Sequence, residues 1–173
     1  MTKKFTFITG GSRSGKSSHA LKLAESLGEK RLYLATAQAL DDEMAERIAH
    51  HKKERGDGWN TIEEPLNIAE VIGKLDIYDS VLLDCLTLWL CNVMHEEESD
   101  EKVIERIDNL LNACKGCKTK LIVISNETGS GIIPADPLSR RFSDLAGLMN
   151  QKMAAAASQV ILTVSGIPMT IKG

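Results

Sequence analysis

A chain of 173 residues with 43% apolar and 26% charged side chains is sized and composed for one globular domain with a sizeable core. A net charge of −3 without a basic tract argues against a nucleic-acid-binding protein, and no apolar run is long enough to span a bilayer. Lys3 and Lys4 precede a short apolar run that ends at a glycine loop, which is not the pattern of a signal peptide, and Cys85, Cys91, Cys114 and Cys117 lack the spacing of a disulfide framework or a zinc site, so a cytoplasmic location is expected.

Alternation of Phe5, Phe7 and Thr9 with Thr6 and Ile8 predicts a first strand from about Lys4 to Thr9. The next residues, Gly10-Gly11-Ser12-Arg13-Ser14-Gly15-Lys16-Ser17, fit the G-x-x-x-x-G-K-[ST] phosphate loop without a mismatch. Such a loop curls so that consecutive N–H groups face phosphate oxygens, and the helix that follows adds its positive end. Lys16 is placed to reach the β- and γ-phosphates and Ser17 to hold magnesium. The loop implies a bound nucleoside triphosphate.

Lys16 to Leu27 reads as a helix stopped by Gly28, and Arg31 to Thr36 as a strand. Asp41 to Arg55 reads as a second helix with acids at its start. Trp59 to Ile62 is a short extended piece, and Pro65 is expected to open a helix through Leu75. Ser80 to Asp84 is a buried strand ending in an acid, followed by a helix from Leu86 to about His95 and an acidic connector, Glu96 to Glu101. Val103 to Leu111 belongs to a further amphipathic helix. Lys120 to Ser125 reads as a strand covered on both faces, followed by a glycine-rich loop to Ala135 and a long helix from Asp136-Pro137 to about Ser158. Gln159 to Val164 and a short last strand close the chain. The expectation is an α/β, P-loop NTPase-type fold: one domain over residues 1–173, a mostly parallel sheet with helices on both faces, and a short C-terminal strand pair. Ligands then bind beyond the carboxyl ends of the strands, where the loop, Asp84 and Asn126 gather.

Asp84, ending an apolar strand, suits a magnesium-orienting acid, since that cation takes hard oxygen ligands. His50 and His51 lie late in the second helix. An imidazole is a good nucleophile toward phosphorus, but neighbours in a helix point about 100° apart, so the two are not expected to face one site. From residues alone, a solvated surface pair is the plainer reading. His19 reads as a helix-surface residue. Trp59 suits either stacking on a flat ring or the core, and Glu63 and Glu64 either ribose binding or capping. Arg140 and Arg141 suit either a transferring phosphoryl group or a solvated face. Cys114-x-x-Cys117 reads as a pair of helix-end thiols.

In order along the chain, Thr9 to Ser17, Ala35-Thr36-Ala37-Gln38, Asp41-Asp42-Glu43-Met44, Arg47-Ile48 with His50-His51, and Trp59 with Glu63-Glu64-Pro65 form a recognisable series. It continues with Asp84-Cys85-Leu86-Thr87, Trp89, Asn92, Asn126-Glu127-Thr128-Gly129, Gly131-Ile132-Ile133-Pro134, Arg141, Asp144, Gly147, Asn150-Gln151 and Gly166-Ile167-Pro168. The series resembles the bifunctional adenosylcobinamide kinase / adenosylcobinamide-phosphate guanylyltransferase family; Thr128, where valine is expected, is a mild departure. The resemblance implies that ATP or GTP phosphorylates the aminopropanol arm of adenosylcobinamide. A histidine then takes GMP from GTP and passes it to adenosylcobinamide phosphate. It implies His50 as the guanylylated residue, with His51 as the alternative, and Lys16 as a catalytic partner. Gly10, Gly11, Ser12, Arg13, Ser14, Gly15, Lys16, Ser17, Thr36, Glu63 and Asp84 would bind nucleotide, with Mg2+ at Ser17 and Asp84. It also implies a homo-oligomer. Competing readings are a small-molecule or nucleotide kinase without the histidine step, and a nucleotide-dependent regulatory protein.

Overall fold

The structure, a computed structural model, describes residues 5–173; Lys3 and Lys4, including the expected start of the first strand, lie outside the described residues. Seven strands form one sheet: β1 (Thr6–Gly10), β2 (Arg31–Ala35), β3 (Asn60–Glu63), β4 (Ser80–Asp84), β5 (Lys120–Asn126), β6 (Gln159–Val164) and β7 (Ile167–Lys172). Their order is β3-β2-β4-β5-β1-β6-β7, every pair parallel except β6 with β7. The helices are α1 (Lys16–Glu25), α2 (Asp42–Arg55), α3 (Ile68–Ile72), α4 (Leu86–Glu96), α5 (Asp100–Gly116) and α6 (Pro137–Ala156).

The central strands read as unbroken apolar runs because side chains of period two must satisfy two buried faces. Leu32, Leu34, Val81, Leu83, Leu121 and Val123 pack on one face against α3, α4, α5 and α6. Tyr33, Leu82, Ile122 and Ile124 point the other way, against Ala20 and Ala24 of α1. One face thus carries four helices and the face beside the phosphate loop carries α1, which leaves room there for a cleft.

The extended piece expected over Trp59 to Ile62 is present as an edge strand, β3, in register with β2 from Leu32↔Asn60 to Ala35↔Glu63. Pro65 does not open a helix: α3 begins at Ile68. The Pro65 carbonyl accepts from Asn92 Nδ2 (3.0 Å) and the Leu66 carbonyl from Trp89 Nε1 (2.8 Å), so neither is free for a following helical turn. Glu64 instead accepts the N–H groups of Leu66 and Asn67 at 2.9 and 2.8 Å, fixing a turn. The acidic connector is also shorter than expected. Only residues 97–99 separate α4 from α5, and Ser99 caps α5 by accepting from Lys102 N.

At the other edge, Ser165 and Gly166 both take positive φ (51° and 82°), the signature of a tight two-residue hairpin turn joining β6 to β7. This turn reaches the phosphate loop: Gly166 N–H donates to the Ser14 carbonyl at 2.9 Å.

Candidate active site

The loop from Gly10 to Ser17 leaves the carboxyl end of β1 and feeds straight into α1, whose N-cap is Gly15 at φ 92°. A side chain at Gly10 would put its Cβ 2.5 Å from the Thr163 carbonyl oxygen on β6, so the strand and loop can approach only as glycine. Ser14 Oγ and Thr163 Oγ1 share a buried hydrogen bond of 2.7 Å. The loop is therefore held from below by β6 and from the side by the β6–β7 turn.

Lys16 is buried and donates to the Gly11 carbonyl at 2.9 Å, lying back along the loop. Burial lowers its affinity for a proton, while the nearby Asp84 carboxylate acts in the opposite direction. Ser17 Oγ donates to Asp84 Oδ2 at 3.3 Å. The same carboxylate oxygen accepts from the Tyr33 hydroxyl at 2.8 Å. Burial first, then Asp84, pushes the Tyr33 phenol up, so it stays protonated and donates. Asn126 sits at the next strand end, where its N–H donates to Thr87 Oγ1 (2.8 Å) and its carbonyl accepts from Asn150 Nδ2 (3.0 Å).

Over these groups opens a cleft of about 800 Å³. Its wall contains residues 12–17 of the loop, Tyr33 and Asp84 from the sheet, Glu63, Asn126, and much of α2. Both His50 and His51 border it, against the expectation that neighbouring helical residues could not share a site. The cleft runs beneath and alongside α2, so more than one side of the helix lines it. The two Nδ1 atoms lie 3.6 and 3.5 Å from one oxygen of Glu54. The pair is not equivalent, however. Met44, Ile48 and Arg55 are the half-buried residues of α2, and Arg55 reaches the sheet. At about 100° per residue His51 falls within about 60° of all three, whereas His50 lies about 140° from their mean direction. The His50 side chain is 70% exposed and that of His51 47%.

Other expected residues divide. Glu63 borders the cleft and pairs with Lys52 at 2.8 Å. Thr36 does not have its side chain on the wall. It is fully buried, and its hydroxyl donates to the Cys85 carbonyl (2.7 Å) and accepts from Cys85 N–H (2.9 Å), tying β2 to β4. Gly10 and Gly11 are not on the wall: Gly10 is buried and Gly11 is exposed. Trp59 packs edge-on to Tyr33, 6.2 Å between centroids, rather than bordering the cleft. Arg140 donates to the Pro134 carbonyl, and Arg141 to Asp100 and the carbonyls of Glu97 and Glu98, so both arginines hold loops. His19 is half-buried rather than a surface residue. Cys114 and Cys117 are buried thiols whose pKa values burial raises, as suits inert helix-end cysteines. Tyr33 and Arg55 were not singled out by sequence, since one reads as an apolar strand position and the other as a helix-end cation.

The oxygen donors at Ser17 and Asp84 fit magnesium, which commonly takes only one or two protein ligands and completes its shell with phosphates and water. Among the described residues no group of three or more His, Cys, Asp or Glu could hold a metal by itself. Among them, too, no helix is long and apolar enough to cross a membrane.

The fold and this loop define an α/β phosphate-loop nucleotide-binding protein. Solved structures agree at the level of the fold. The RadB recombinase superposes with a TM-score of 0.56 at 17% identity, covering 93% of this chain and 74% of that one. A KaiC-like protein from Pyrococcus horikoshii gives 0.52 at 15%, covering 93% and 71%. Residues 6–171 match the family described as cobinamide kinase / cobinamide phosphate guanyltransferase. The bifunctional adenosylcobalamin biosynthesis protein CobU of Escherichia coli is 41% identical, with 95% of this chain and 98% of that protein covered. CobP of Pseudomonas aeruginosa is 42% identical, with 96% of each covered, and CobU of Salmonella typhimurium 42%, with 95% and 98%. The chain belongs to this family of bifunctional kinase and guanylyltransferase enzymes.

Proposed function

We propose that one cleft serves both reactions, phosphorylating adenosylcobinamide with ATP or GTP and then transferring GMP from GTP to adenosylcobinamide phosphate. The observation that carries this reading is the histidine pair of α2 on the wall of the cleft that the phosphate loop floors. In the first reaction the loop N–H groups and Lys16 hold the β- and γ-phosphates while the acceptor hydroxyl attacks the γ-phosphorus, the bond from that phosphorus to the bridging oxygen breaks, the nucleoside diphosphate leaves and the hydroxyl proton passes to solvent. In the second, an imidazole nitrogen attacks the α-phosphorus, the bond to the β-phosphate oxygen breaks, and pyrophosphate leaves into the same loop. A phosphate oxygen of the corrinoid substrate then attacks that phosphorus, and the N–P electron pair returns to the imidazole. Magnesium, held through Ser17 and Asp84, would neutralise triphosphate charge. Glu63 on the wall is available to the ribose.

The resemblance implies His50 as the nucleophile, and His50 borders the cleft; His51, which borders it too and shares the helix face of Met44, Ile48 and Arg55, is the alternative. The enzyme is further proposed to act in the cytoplasm, as a homo-oligomer, without nucleic acid.

Incubation with α-labelled GTP and magnesium is expected to leave an acid-labile, base-stable label on the protein. His50→Ala should lose the label and retain phosphoryl transfer, with His51→Ala still labelled. The reverse pattern would move the nucleophile to His51. An unlabelled wild type that still phosphorylates the corrinoid would leave a kinase without the histidine step.

A further inference from the structure

α2 is weakly anchored for a helix that borders an active site. None of its 14 residues is buried, so it lacks the apolar stripe that seats an ordinary surface helix. Its hold on the sheet is concentrated at its last turn. Lys52 pairs with Glu63 at 2.8 Å, and Arg55 Nη2 donates to Thr61 Oγ1 at 3.0 Å, both partners lying on β3. The Arg55 guanidinium also lies 3.9 Å from the centroid of the Tyr33 ring. The opposite end of that ring carries the hydroxyl that donates to Asp84 Oδ2. Trp59 braces the ring edge-on, with Arg31 6.0 Å from the indole centroid. One aromatic side chain therefore touches the acid beside the phosphate loop and, through Arg55, the helix that carries the histidines.

We propose that Tyr33 and Arg55 are paired positioning residues: Arg55 seats α2 on the Tyr33 ring, and the Tyr33 hydroxyl fixes the orientation of Asp84. The proposal rests on the reading that the nucleophile lies on α2. Arg55 is five residues beyond His50 and four beyond His51 on the same helix, so tilting the end of α2 displaces either imidazole directly. The nucleophile must sit within near-attack distance of the α-phosphorus, where a displacement of about 1 Å costs on the order of a hundredfold. Phosphoryl transfer, which does not use α2, is less exposed to such a shift. Asp84 serves both reactions, so loss of the hydroxyl falls on both.

The test compares five variants of the full chain. Arg55→Met should lower self-guanylylation about tenfold more than phosphoryl transfer, with Arg55→Lys restoring most of the difference by keeping a cation over the ring. Amide exchange in residues 42–55 should quicken about tenfold in Arg55→Met and stay at the wild-type rate in Tyr33→Phe, which keeps the ring. Tyr33→Phe should instead raise, by about threefold or more, the magnesium concentration at which GTP binding, read by calorimetry, is half-enhanced. Tyr33→Leu combined with Arg55→Met should exceed Tyr33→Leu alone in exchange over 42–55 by less than Arg55→Met exceeds the wild type, because the ring contact is shared and only the hydrogen bond to Thr61 is lost independently. If Tyr33→Leu does not fold, the Tyr33→Phe and Arg55→Met results decide. Unchanged α2 exchange in Arg55→Met, equal losses of both activities in that variant, or an unaltered magnesium response in Tyr33→Phe overturns the proposal. An unlabelled wild type would overturn the guanylyl-transfer reading instead, with the exchange and magnesium results still judging the contact.

Discussion

The Ser17 hydroxyl and the Asp84 carboxylate meet at 3.3 Å across the carboxyl edge of the sheet, 67 residues apart in the chain. Parallel strands make the meeting obligatory. β1 and β4 flank β5 and point the same way, so whatever follows β1 and whatever ends β4 emerge on one side. Asp84→Asn keeps the shape of this contact and removes its charge. The Tyr33 hydroxyl can still donate to the amide oxygen, so unfolding midpoints in urea should move little, while both activities should fall by about 10²-fold. Chelation should abolish both activities in the wild type, and added magnesium should restore both.

Lys16→Ala should also impair both reactions, and by more. The ammonium is the buried cation on the floor of the cleft, and it is held along the loop by the Gly11 carbonyl. A loss of about 10² to 10³ in turnover is expected for each reaction, the range typical of removing one preorganised group that stabilises charge in a transition state. A variant that lost only phosphoryl transfer would mean that pyrophosphate leaves from somewhere other than this loop.

Two adjacent glycines of the loop should respond in opposite ways. At Gly10 an added Cβ meets the Thr163 carbonyl and hydroxyl oxygens at 2.5 Å and Ser14 Oγ at 2.6 Å. The carbonyl belongs to a paired strand and cannot rotate away, so Gly10→Ala should cost about 1–3 kcal/mol and weaken nucleotide binding. At Gly11 the added Cβ has nothing within 4 Å, and Gly11→Ala should stay within about 0.5 kcal/mol of wild type. Urea denaturation of the two variants checks the contrast.

The phosphate loop was legible because its signal is local: eight consecutive residues carry the turn, the cation and the hydroxyl. The central strands were legible because burial on both faces leaves an apolar run. β3 was legible only as a short extended piece and not as a sheet edge, since only Ile62 of its four residues is even partly buried and an edge strand needs no apolar pattern. The late start of α3 was hidden for another reason: Trp89 and Asn92, far along the chain, take the carbonyls of Leu66 and Pro65. Tyr33 falls inside the strand read over Arg31 to Thr36. Nothing in the sequence says that the face it points to carries Asp84 and Arg55. Side chains that act through distant partners are the part of the site that spacing does not record.

His19 provides a pH test that is independent of activity. It lies on α1 just past the loop, and its Nε2 is buried without a hydrogen-bond partner. Burial first, and Lys22 second, lowers its pKa from the usual 6.5. The folded chain therefore binds this proton more weakly than the unfolded chain. Between 6.5 and the lowered folded value, the unfolded state holds more protons, so stability must fall as the pH falls and recover as it rises. A histidine that gained a carboxylate partner would behave in the opposite way. His19→Gln cannot take up the proton, and its urea midpoint should decline less than that of the wild type between pH 8 and pH 5. Equal declines would show that the imidazole is already solvated in the folded chain, and a steeper decline in the variant would show that the protonated ring is held by a partner.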